Sequence, residues 1–132
     1  LDNNVIIFSL FPGIEEHLIR HTFDAPELRS IVMRSYGSGN APQQPWLMNL
    51  LRKVTERDII VVNISQCISG QVEMNRYDTG YQLKDAGVIS GYDSTVEAAV
   101  TKLMYLQAQY DDTETIRKYM NQSIAGEITI YN

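Results

Sequence analysis

Apolar residues in this chain fall into short continuous runs that alternate with stretches of helical spacing. Val5-Ile6-Ile7-Phe8-Ser9-Leu10 is a run of strand length, closed by the breaker Pro12-Gly13. Ile14, Leu18 and Ile19 follow at spacings that suit a short helix. Ser30-Ile31-Val32-Met33-Arg34 reads as a second buried strand, and Tyr36 to Pro42 as a loop. Trp46, Leu47, Leu50, Leu51 and Val54 repeat at helical intervals. Ile59-Ile60-Val61-Val62-Asn63-Ile64 is the clearest strand. Its β-branched run without polar alternation suits a strand covered on both faces. Strands separated by helices imply crossovers and a parallel sheet. The pattern therefore predicts an α/β domain, a three-layer α/β/α (Rossmann/flavodoxin-like) arrangement with a central parallel sheet of about four strands.

The second half continues the alternation less regularly. Ser65 to Gly80 is polar and as long as functional loops get. A short helix is expected over Tyr81 to Ala86, ended by Gly87, and Val88-Ile89 is a short extended piece. Ser94-Thr95-Val96-Glu97 reads as a capping box with Ser94 as the cap. The helix it opens carries Val96, Ala99, Val100, Leu103, Leu106 and Tyr110 as an apolar stripe. Asp111-Asp112-Thr113-Glu114 opens another helix, with Ile116, Tyr119 and Met120 on one side. Residues Gly126 to Tyr131 read as a final short strand or tail.

Length and charge narrow the classes. At 132 residues the chain is a single domain. The apolar fraction of 44% and charged fraction of 20% fit a soluble globular domain and argue against disorder. A net charge of −5 without a basic cluster makes a poor nucleic-acid binder. No apolar run approaches the ~20 residues that span a bilayer, and no signal-peptide pattern opens the chain. Neither a nucleic acid nor a membrane is therefore expected as a partner. Cys67 alone allows neither an internal disulfide nor a multi-cysteine metal site, and it fits a reducing cytoplasm. The first residue is Leu1, not Met, and strand-like residues start at Val5, which reads like a piece of a longer protein.

Ligands of an open parallel sheet bind beyond the carboxyl ends of its strands. That rule selects the loops after Leu10, Arg34 and Ile64. It delivers Arg34, Ser35, Gly37, Gly39, Asn40, Ser65, Gln66 and Cys67 to one edge. Arginine at a strand end offers a planar fork for a carboxylate or phosphate. Ser65, Gln66 and nearby amides add neutral donors and acceptors. Such an edge suits a small zwitterion or anion; a structural ion pair between Arg34 and an acidic neighbour is the alternative. Gly37-x-Gly39 does not complete a dinucleotide fingerprint. Pro42 stands at the third glycine position, and Asp58 precedes a strand where the ribose-binding acid should end one. His17 and His21 are four apart, as paired metal ligands can be, but they read as surface residues of an amphipathic helix, and no metal or other cofactor is expected. Cys67 has no local nucleophile signature, and the eight tyrosines suit packing or an oligomer interface. No catalytic constellation stands out.

Four stretches carry a resemblance. They are Val32 to Pro42, Ile60 to Gly70, Ala86 to Ala98, and Asp112 to Arg117. In order and spacing they resemble the C-terminal domain of bacterial type I (cytoplasmic) L-asparaginase, over essentially the whole chain. That family hydrolyses L-asparagine to L-aspartate and ammonia. Its Thr-Gly-Gly-Thr and His-Gly-Thr-Asp-Thr motifs, which belong to an N-terminal catalytic domain, are absent here. The resemblance implies no catalytic residue within this chain and an isolated chain that is inactive.

It further implies an intimate-dimer interface, two such dimers making a tetramer, and Asn40 reaching a neighbouring subunit's active site. In the type I branch it implies a separate allosteric asparagine site. Arg34 matches that site's arginine, and Ser65, Gln66 and Cys67 match a Thr-Gln-Cys triplet. The implied partners are L-asparagine, the chain's own N-terminal catalytic domain and further copies of itself, in the cytoplasm. A stand-alone amino-acid-binding module of the same fold is the alternative reading.

Overall fold

The computed structural model describes residues 2–10, 13–35, 45–65, 79–91 and 94–122. Among these residues four strands form one all-parallel sheet in the order β1-β2-β3-β4: β1 Val5–Ser9, β2 Ser30–Ser35, β3 Ile60–Ser65 and β4 Ile89–Ser90. Five helices accompany them: α1 Glu16–Phe23, α2 Pro45–Glu56, α3 Thr79–Asp85, α4 Val96–Gln109 and α5 Thr113–Met120. This is the α/β layering that the alternation of runs predicts.

The strand order fixes where the helices lie. Each strand is followed by its spatial neighbour, always in the same direction across the sheet. Crossovers of one hand then place α1, α2 and α3 on the same face. The two cores show this division. Ile31, Met33, Ile59 and Val61 pack with Ile19, Phe23, Leu47, Leu51, Val54 and Leu83, which come from α1 to α3. Val32, Ile60, Val62, Ile64 and Ile89 pack with Ala99, Leu103, Leu106, Ile116 and Met120, which come from α4 and α5. Successive residues of β2 and β3 thus serve opposite cores, as the pleat requires. That is why these strands read as unbroken apolar runs. The numerically sequential order contains no reversal, so within these strands the binding-edge rule selects a whole edge and not one crevice.

α4 runs against the strands. Its last turn meets their starts: Ser30 and Gln107 hydrogen-bond through their side chains, and Gln107 Nε2 donates to the Asp2 carbonyl at 3.4 Å. Fourteen helical residues span about 21 Å. A six-residue strand spans about 20 Å, so α4 begins at the carboxyl edge.

The cap of α4 differs from the expected one. Thr95, not Ser94, accepts the orphan amide, from Ala98 at 3.0 Å. Ser94 is buried, and its hydroxyl donates to the Thr95 carbonyl at 3.1 Å. The box pattern placed the cap one residue early because Ser94 and Thr95 are both good caps and only packing separates them. Tyr110 is likewise outside the helix, as its C-cap. Asp112 caps α5, accepting from the Thr115 amide at 3.2 Å and its hydroxyl at 2.6 Å. The loop over 36–42 and the tail over 126–131 lie outside the described residues.

Candidate functional site at the carboxyl edge of the sheet

Two ladders bring residues to the carboxyl edge. Ser9 is the register partner of Arg34, Arg34 of Ile64, and Ser35 of Ser65. Neighbouring strands are about 4.8 Å apart, so Ser9, Arg34 and Ile64 form one row across the sheet. Arg34 lies two residues beyond Val32 and shares its face, the one covered by α4 and α5. Ser65 closes the adjacent strand one rung further along. The strand-end rule therefore brings Arg34 and the backbone of Ser65 to the same edge. Gln66, Cys67 and Asn40 lie outside the described residues, as do Gly37 and Gly39.

Arg34 is half-buried, and its Nε–H donates to Ser9 Oγ at 3.0 Å. The Leu10 amide donates to the Arg34 carbonyl at 2.7 Å, which carries the β1–β2 pairing past the end of β1. Ion pairs among the described residues join Glu15 to His17, Glu16 to Arg20, Asp2 to Arg29, Arg52 to Asp85, and Asp24 to Arg57. Arg34 is in none of them. The structural ion pair considered for this arginine is thus absent among the described residues.

Two residues at this edge escaped the sequence reading. Ser9 is the last residue of β1 and lies inside the apolar run Val5 to Leu10, where it reads as part of the run. Asn63, inside the run of β3, is the ladder partner of Met33 and Ser90. Its Oδ1 is buried and has no hydrogen-bond partner among the described residues. Noting the last polar residue inside each apolar run, Val5 to Leu10 and Ile59 to Ile64, is the signal that finds both. Beside them the Gly91 amide donates to the Asn63 carbonyl at 2.9 Å. A Cβ on Gly91 would stand 2.2 Å from Ile64 Cδ1, so a larger residue where the chain leaves β4 requires the Ile64 side chain to shift.

The other candidates take ordinary places. His17 and His21 are exposed on α1, with His17 Nδ1 3.8 Å from a Glu15 oxygen. Among the described residues no cluster of three histidine, cysteine or acidic side chains could hold a metal. Asp58 sits in the turn before β3, in the left-handed conformation at φ 65°, at the opposite edge of the sheet from Arg34. No helix among the described residues is long and apolar enough to cross a membrane.

The profile of the Glutaminase/Asparaginase C-terminal domain family matches residues 4–120. Over 123 residues the chain is 47% identical to L-asparaginase 1 of Escherichia coli (strain K12), covering 93% of this chain and 36% of that protein. It is 39% identical over 130 residues to the 60 kDa lysophospholipase of Homo sapiens, covering 98% of this chain and 22% of that one. The crystal structure of L-asparaginase I from Vibrio cholerae superposes with a TM-score of 0.84 at 42% identity, covering 97% of this chain and 38% of the other. The chain thus spans little more than a third of the length of the asparaginases it matches here.

Proposed function

The chain belongs to the glutaminase/asparaginase C-terminal domain family, and from that premise we propose that it is the effector-binding and assembly domain of an L-asparaginase. In the whole protein the reaction is hydrolysis of L-asparagine to L-aspartate and ammonia, carried out by an N-terminal domain. Arg34, with Ser65, Gln66 and Cys67, holds a regulatory molecule of L-asparagine. Asn40 reaches the active site of a neighbouring subunit across an intimate-dimer interface. The isolated chain turns nothing over, and the whole protein works in the cytoplasm without a cofactor.

One observation supports the effector reading above the rest. Arg34 stands at the carboxyl edge, half-buried, with a hydroxyl on its Nε and no carboxylate partner among the described residues. An α-carboxylate pairs with such a guanidinium through charge-assisted hydrogen bonds. The test is made in the whole enzyme. Arg34→Ala removes activation by L-asparagine and leaves turnover at saturating substrate near wild type. Asn40→Asp lowers turnover itself, because it adds a negative charge near a carboxylate-binding active site. Identical behaviour of the two variants would contradict the separation of the sites.

A further inference from the structure

A guanidinium can grip a carboxylate with two parallel hydrogen bonds in two ways. One is side-on, through Nε and the nearer Nη; the other is end-on, through both Nη groups. In this structure the side-on edge of Arg34 is taken, because Nε–H donates to Ser9 Oγ at 3.0 Å. The two residues are ladder partners on adjacent strands, so backbone register and not a loop sets their separation. We propose that Ser9 is a positioning residue: it occupies the side-on edge of Arg34 and leaves the end-on edge for the carboxylate of an α-amino acid. The inference rests on the effector reading of Arg34 given above.

Two further features favour this role over a merely structural tie. The β1–β2 pairing is already made by backbone, through five register pairs and the amide of Leu10, so the side-chain bond adds little to holding the strands together. What it fixes is the torsion of a long side chain that otherwise samples many rotamers. Removing that freedom beforehand lowers the cost of binding.

The experiment is calorimetric titration of this chain with L-asparagine and with L-asparaginamide, whose α-carboxylate is replaced by an amide. The chain is expected to bind the first and not the second. Ser9→Ala weakens L-asparagine binding about tenfold, the scale of one hydrogen bond to a charged group. Ser9→Thr keeps the hydroxyl and restores affinity, and Ser9→Ala has no further effect in an Arg34→Ala background.

If Ser9→Ala binds L-asparagine as tightly as wild type, or Ser9→Thr as weakly as Ser9→Ala, the positioning role is overturned and the effector reading stands. If the wild-type chain binds no L-asparagine, an effector site carried by this domain alone falls, and the whole-enzyme test of Arg34→Ala decides the effector reading. Acetate, followed on the Arg34 Nε–H resonance, then decides the inference. A shift lost in Ser9→Ala upholds carboxylate positioning by Ser9, and no shift in wild type overturns it.

Discussion

Arg29 and Arg34 stand at the two ends of the same strand, and their surroundings differ. At the foot of β2, Arg29 Nη1 donates to Asp2 Oδ2 at 2.9 Å and to the Gln107 carbonyl at 2.8 Å, and Nη2 donates to the Tyr110 carbonyl at 3.3 Å. It ties the start of the chain to the end of α4. Its guanidinium, with the Asn4 amide, holds the Asp2 carboxyl below its ordinary value. A carboxylate so lowered stabilises the fold above its unfolded-state pKa of about 3.9, and that stability is lost as pH falls through the lower folded value. Asp2→Asn should therefore be less stable than wild type at pH 6 in urea unfolding, with the gap closing below about pH 4. At the head of the same strand, Arg34 meets a hydroxyl and no carboxylate among the described residues. Arg34→Ala should cost the fold little and the ligand much. A loss of stability equal to that of a core truncation would contradict this.

The elements themselves show what a sequence can and cannot disclose. Their order and layering were legible because β1, β2 and β3 are apolar runs of strand length and α2, α4 and α5 carry apolar stripes. Arg34 was legible as a residue of the carboxyl edge because it ends such a run. Ser9 was not, since a lone serine inside Val5 to Leu10 is indistinguishable from strand punctuation until the register pairs it with Arg34. The cap of α4 was misplaced for a related reason: Ser94 and Thr95 offer the same chemistry, and the burial of Ser94 decides between them. Thr95→Ala should cost about 1 kcal/mol through the lost cap, and Ser94→Ala should leave the helix end intact. Thermal unfolding of the two variants, with amide exchange at Ala98, checks this. Gly91 makes a tighter demand. A methyl there drives Ile64 and the Val62 side chain out of place, because Ile64 Cδ1 already occupies the space at 2.2 Å. Gly91→Ala should destabilise by about 1–3 kcal/mol, the range for overpacking, measured as a shift in the urea midpoint without a change in slope.

Across the whole molecule, the sheet separates two tasks. Its faces are stability, one core against α1 to α3 and the other against α4 and α5. Its carboxyl edge carries the polar groups that the cores do not use: Ser9, Arg34, the backbone end of β3 at Ser65, and the Asn63 oxygen, which has no hydrogen-bond partner among the described residues. Leu103→Ala, on the buried stripe of α4, should cost about 2–5 kcal/mol and leave the ligand affinity of the folded fraction unchanged, which titration well below the unfolding midpoint would show. The most direct test of the account is an amide-shift NMR titration of this chain with L-asparagine, using D-asparagine as the control. Stereospecific shifts at Arg34 and across residues 65–67 are the predicted result; equal shifts with both enantiomers, or none, would contradict an effector site carried by this domain.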